Sequence, residues 1–318
     1  MDQALEAAAL QSPSVGPTPW HLFMPLAASV LFVCGLIFVK RISAAGIGPW
    51  TVTFITNCWA ALLFSSIWLL GGELQPWSDW WQPFLVASLY ILGQVFTFAA
   101  VEHGDVSVAT PVFGVKVIFV ALILSAVVGE SLGGAIWVAV FLAFCGILLV
   151  QWMPKRTKDS DSVTQVAESG RLTLTIVMAV CAAGSFATFD VVVQHFAKTW
   201  GTGRLIPIAF WMAGVLSLGF LPFIDSNPLR PSTRKGLLIG SFLVAGQAMF
   251  LVTSLGTFND AARINVVYTL RGLWGVVLAW AVASLLGGRE ADLPKRIMMM
   301  RLCGASLLTL AVLIVILQ

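Results

Sequence analysis

The chain has 318 residues, of which 58% are hydrophobic and only 10% are charged, with a net charge of +3. An ordinary soluble domain carries roughly 25% charged residues, and no soluble core hides so large an apolar fraction. The composition therefore excludes a water-soluble enzyme or a nucleic-acid-binding module and leaves a polypeptide whose solvent is the lipid bilayer.

Residues 1–21 contain Asp2 and Glu6 but no Lys or Arg, so they lack the basic start of a signal peptide and are expected to form a polar tail before a retained first helix. Ten apolar runs follow, at 22–40, 50–70, 82–102, 106–128, 134–152, 172–195, 204–223, 237–258, 263–286 and 297–317. Each approaches the roughly 20 residues that cross a ~30 Å hydrocarbon layer. They are too long and continuous for barrel strands, so the expected fold is an all-α membrane protein of ten transmembrane helices. Trp20, Trp50, Trp77, Trp80, Trp81, Trp137, Trp152 and Trp200 fall near span ends, where indoles anchor at the headgroup level. Cys34, Cys58, Cys145, Cys181 and Cys303 lie inside the runs without Cys-x-x-Cys spacing and read as small buried hydrophobes.

The segment 153–171 is the one linker of note, with Pro154, a basic cluster and a Ser/Asp-rich stretch. It separates a first half, 22–152, from a second, 172–318, with five runs in each. Because five is odd, equivalent segments of the two halves cross the membrane in opposite senses, the arrangement of inverted-repeat transporters. Matched residues recur in order: Gly93-Gln94 with Gly246-Gln247, Asp105 with Asp260, Lys116 with Arg271, and Gly129-Glu130 with Gly288-Arg289-Glu290. Most loop Lys and Arg residues follow runs 1, 5, 7 and 9, which places those loops in the cytoplasm and both termini outside.

The stretch Gly104-Asp105-Val106-Ser107-Val108-Ala109-Thr110-Pro111-Val112-Phe113, followed by Gly129-Glu130, Trp137 and the Gly146-Ile147-Leu148-Leu149 helix, resembles the EamA domain of the drug/metabolite transporter superfamily. The resemblance implies ten spans in two inverted five-helix repeats, a bacterial inner membrane as the location, and transport of a small solute. The sequence departs from that pattern at Asn57, near the place of an arginine often seen early in the second helix, and at Val266, which stands where a counterpart of Pro111 would fall.

Lys116 and Arg271 are the residues with the clearest chemistry. A charge at a helix centre costs roughly 2.5 to 3.5 kcal/mol on insertion scales, so such groups face a protein interior or a wet cavity. An anionic solute needs fixed positive charge there, and Arg adds a bidentate grip that Lys lacks. In related sugar-phosphate and nucleotide-sugar translocators, basic residues of the fourth and ninth helices contact the anion, and these two positions are similar. The competing role is internal charge pairing, with Asp190 or Glu102 as partner. Asp190, deep in run 6, is also a candidate to bind a coupling proton. Gln94 and Gln247 either link helices or present amides to the solute. Asn57, Tyr90, Trp211, Asn265 and Tyr268 are expected around the same cavity. Asp105 and Asp260 lie about 16 Å along the axis from the cation of their own run, and they read as N-terminal caps. Glu130 and Glu290 close their spans as loop-fixing residues.

Neither His103 nor His195 has ligand spacing, and there is no phosphate loop or serine elbow. No metal, cofactor or ATP hydrolysis is expected, and the partners are a small-molecule solute, the bilayer and, as a candidate, a second copy in a homodimer. The competing functions are an intramembrane enzyme using Glu102, His103, Asp105 and Asp190 on lipid, and a scaffold or helper subunit without transport of its own.

Overall fold

A computed structural model describes residues 19–103, 112–150, 162–274 and 295–317. Among these the chain is helical throughout, with no strand. In chain order the helices are α1 (Phe23–Ala44), α2 (Pro49–Ser65), α3 (Trp81–His103), α4 (Lys116–Ile123), α5 (Gly134–Val150), α6 (Ser162–Trp200), α7 (Thr202–Leu216), α8 (Arg234–Phe258), α9 (Ala261–Tyr268) and α10 (Lys295–Ile316). Short 3-10 turns extend α2 to Leu70 and α7 to Phe223, and a π turn at Leu124–Val128 extends α4. Seven segments are long and apolar enough to cross a membrane: Phe23–Ala44, Pro49–Leu70, Trp77–Ala100, Thr173–Trp200, Thr202–Phe223, Arg234–Phe258 and Met299–Ile316. Lys116–Val128 and Gly134–Val150 are shorter apolar helices.

Local chemistry sets several boundaries. Pro49 opens α2 after an extended Gly48, since its fixed φ suits the first helical position and its missing N–H is no loss there. Asn259, with φ 53°, ends α8 in the left-handed conformation that Asn tolerates, and Gly129 at φ 79° ends the π turn after α4. The stretch 162–171, expected within a linker loop, is instead the first part of α6. Nothing in it after Pro154 stops a helix. Gly170 costs only about 1 kcal/mol in a helix interior, and the long apolar segment behind it propagates the structure.

The helices pack in pairs that repeat across the two halves. α1 lies along α8 and α3 along α6; α2 meets α8 and α3 meets α7; α4 meets α6 and α9 meets α1. α5 lies along α10, and α2 along α7. The α5–α10 contact needs glycine: a Cβ at Gly146 would stand 2.9 Å from the Gly304 carbonyl oxygen, and one at Gly304 would stand 2.7 Å from that of Gly146. α2 has its two ends tied to opposite parts of the second half. At its start the Gly48 N–H and the Thr51 hydroxyl donate to Asp225 at 2.8 and 2.7 Å. Beyond its other end the Glu73 N–H donates to the Trp200 carbonyl, and the Gln75 amide donates to that of Thr199.

Two readings of side chains are corrected. Trp200 is not a headgroup anchor; it is fully buried and donates its indole N–H to Gln82 at 2.8 Å, whereas Trp77 is 80% exposed. A span end that packs against a neighbouring helix end is as dry as the core, and position along the run does not reveal it. All five cysteines are free thiols, but Cys58 and Cys303 are exposed on the helix surface rather than buried.

Candidate functional site

Both cations open a helical segment just after a break in the backbone. In the first half a turn at Gly114–Val115 precedes Lys116, and in the second a turn at Thr269–Leu270 precedes Arg271. Hydrogen bonds there tighten to three-residue spacing: Val117 N to Gly114 O and Ile118 N to Val115 O, Leu270 N to Val267 O and Gly272 N to Thr269 O. Each cation therefore follows a tightened turn within its apolar run. Irregular backbone at such depth is tolerated where it is enclosed by protein or lines a cavity.

Lys116 and Asp190 form the tightest polar contact of this region, Nζ to Oδ2 at 2.6 Å, with Asp190 1% exposed. Asn265 of α9 donates its side-chain N–H to the same oxygen at 2.7 Å and to the Ala261 carbonyl at 2.9 Å. The pair thus joins α4, α6 and α9. Phe186, one turn before Asp190, lies under Lys116, with 6.0 Å from Nζ to its centroid. It fills the notch that Gly93 leaves in α3, where a Cβ would stand 2.7 Å from the ring. That is the steric reason for glycine in Gly93-Gln94; nothing lies within 4 Å of a Cβ built at the equivalent Gly246.

Arg271 is partly buried, and its guanidinium carbon lies 4.6 Å from the Tyr268 centroid and 5.2 Å from that of Phe32 on α1. It is close enough to Lys116 for the two charges to repel. Tyr268 donates its hydroxyl to Gln247 at 2.7 Å. The repeat-equivalent Gln94 instead exchanges two hydrogen bonds with Asn57, both 3.0 Å. The structure therefore gathers Lys116, Asp190 and Asn265 into one cluster, and Arg271, Tyr268 and Gln247 into a second. Gln94 and Asn57 form a third between α2 and α3.

Beside these groups, Tyr90 packs against Phe186, Phe189 and Phe210, and Phe64 stacks on Phe210 at 3.7 Å. One turn after Asp190, Gln194 donates to Glu130 at 2.9 Å and accepts from the Ala261 N–H at 2.7 Å. Lys198 lies 3.7 Å from the same Glu130 oxygen. Gln194 had no place in the sequence reading, and its position one turn after Asp190 on the same face of α6 was the available signal. Asp260 accepts from the Arg263 N–H at 3.3 Å at the first turn of α9, and its other oxygen lies 3.4 Å from His21 and 3.6 Å from the Arg263 side chain. Asp105 and Glu290 lie outside the described residues, and the side chains of Glu102 and His103 are likewise not described.

Trp211 lies apart from these clusters. It is 51% exposed, donates to Ser65, and borders a separate apolar groove of about 460 Å³ with Trp68, Trp80, Phe84 and Met212. Among the described residues no group of three or more His, Cys, Asp or Glu side chains is placed to hold a metal.

Residues 18–152 match the EamA-like transporter family. A solved structure titled only "Crystal structure of protein" superimposes with a TM-score of 0.68, covering 92% of this chain and 97% of its own at 13% identity. It is one of 29 matching chains, and a likeness at that identity speaks for the fold alone. No curated protein matches the sequence. Residues 18–152 are thus similar to the EamA-like transporter family, and the chain that carries them is an integral, multi-pass membrane protein.

Proposed function

We propose that the chain is a secondary transporter that moves a small anionic or zwitterionic metabolite by alternating access around a central chamber. One observation carries this reading: Lys116 and Arg271, matched between the halves, each follow a helix break in the middle of an apolar run. A dehydrated carboxylate needs compensating charge at that depth. Lys116, Arg271, Gln94, Gln247, Asn57 and Tyr268 contact or shape the solute site. Asp190 holds Lys116 and serves as the coupling group, releasing the ammonium when it binds a proton or when solute takes its place.

The paired packing of α1 with α8 and α3 with α6 supports ten spans in two inverted repeats, the first over 22–152 after a tail at 1–21, and the second beginning on α6, which starts at Ser162. The loops after spans 1, 5, 7 and 9 face the cytoplasm, as the basic residues favour.

The test is uptake into liposomes loaded with purified protein, using a solute first identified by its thermal stabilisation of the folded chain. Lys116→Ala and Arg271→Ala are each expected to lower uptake by about tenfold or more, the loss of one charge-assisted contact. Unchanged rate and affinity in both variants would sink the anion site.

A further inference from the structure

The two cations differ in what already answers their charge. Lys116 has the Asp190 carboxylate at 2.6 Å. Arg271 has no carboxylate at ion-pair distance among the described residues, and its neighbours are the rings of Tyr268 and Phe32. From this asymmetry, and resting on the transport reading above, we propose that the solute is a monocarboxylate gripped by Arg271, and that dianions such as phosphomonoesters are rejected.

Charge counting is the first step. Among the described residues Lys116 and Arg271 contribute two positive charges and Asp190 one negative, so the site they form carries a single net positive charge. One carboxylate brings it to neutrality. A second negative charge would be left unanswered in a water-poor site, where charges are neutralised or excluded rather than stranded. Donor geometry is the second step. Cation–π contacts attract a guanidinium but use few of its five N–H donors, which match the two oxygens of a carboxylate. The third step concerns a solute ammonium. Asp190 already receives Lys116 and Asn265, Gln247 accepts from Tyr268, and the Asn57 and Gln94 oxygens accept from one another. A zwitterion brings no net charge, so its carboxylate meets Arg271 while the single positive charge of the site stays unanswered. The aromatic rings around Arg271 suit an apolar remainder instead.

The experiment uses the full chain in lipid nanodiscs, with affinities read from thermal shifts at fixed ionic strength. The probes are lactate and phenylacetate, succinate and glycerol 3-phosphate as dianions, and phenylalanine as a zwitterion. Wild-type protein is expected to favour the monocarboxylates. Arg271→Gln abolishes that shift, and Arg271→Lys keeps the charge but weakens binding by about tenfold, since it loses the bidentate grip. Asp190→Asn adds one net positive charge to the site and moves the ratio of dianion to monocarboxylate affinity upward by about tenfold or more. A ratio is insensitive to how much of a variant is folded, so a merely structural role for Asp190 would leave it unmoved.

Monocarboxylate binding that survives Arg271→Gln, or a ratio unchanged by Asp190→Asn, overturns the proposal. Counterflow of the same probes in liposomes separates this from the broader reading. Preferred movement of succinate, glycerol 3-phosphate or phenylalanine overturns the charge count and leaves transport standing. Absence of both binding and flux for every probe overturns the two together.

Discussion

A carboxylate at membrane depth is tolerated only while its charge is answered, and Asp190 is answered by the Lys116 ammonium and the Asn265 amide on one oxygen. Removing one partner of such a buried pair leaves the other charge stranded, at about 3–5 kcal/mol, whereas removing both costs less than the sum. Lys116→Ala and Asp190→Ala are each expected to lose stability on that scale in detergent-SDS unfolding. The double variant should recover about 1–3 kcal/mol relative to additivity; strictly additive losses would mean the contact contributes nothing. The cations themselves were legible in the sequence because charge is so rare in these runs. Which carboxylate answers which cation was not, because it depends on how helices rotate against one another. The same limit explains Trp211, whose run does not distinguish an exposed side from one packed on other helices. It also explains Asn57 and Gln94, whose mutual bonds need a register between α2 and α3 that no single run encodes.

The breaks before Lys116 and Arg271 show why helices were readable as runs but not as elements. Hydropathy continues smoothly across Gly114–Val115 and Thr269–Leu270, while the backbone hydrogen bonds tighten there to three-residue spacing. Glycine at 114 and 272 was the only local hint. Two predictions belong to this scale. Gly146→Val places side-chain atoms against the Gly304 carbonyl, where even a Cβ stands 2.9 Å away. Neither backbone can yield cheaply, so stability should fall by about 1–3 kcal/mol, read as a lower melting temperature; an unchanged value would mean that α5 and α10 are not in close contact. The second concerns Asp225, which caps α2 from the other half of the chain. Donation from the Thr51 hydroxyl and the Gly48 N–H holds its carboxyl below the usual value of 3.8. A depressed folded-state pKa contributes stability above the unfolded value and loses it as pH falls through the folded one. Asp225→Asn should therefore melt below wild type at neutral pH, and the gap should close as pH drops beneath the ordinary carboxylate range. A gap that stays constant on acidification would argue against the cap.

At the scale of the whole molecule, the proposed repeat rests on few identities and many contacts. Residues 18–152 match a family model, whereas the second half keeps only scattered matches, yet the helix pairs recur across both halves. Packing tolerates substitution as long as size and apolar character are kept, so architecture outlasts the letters that once encoded it. Inversion makes a demand that can be tested without knowing the solute. In the proposed inverted repeat the loop after α2 and the loop after α7 are equivalents, which must lie on opposite faces of the membrane. Their placement agrees, since Asp225 sits at the start of α2 and Glu73 lies beyond its other end. Ser78 and Ser226 are exposed in these two loops and suit single cysteine substitution in a background with the five native cysteines replaced. With basic loops inside, an impermeant maleimide should label Ser78→Cys in intact cells, and Ser226→Cys only after permeabilisation. The reverse pattern would flip the orientation but keep the inversion; labelling of both from one side would remove it, and with it the equivalence of Lys116 and Arg271.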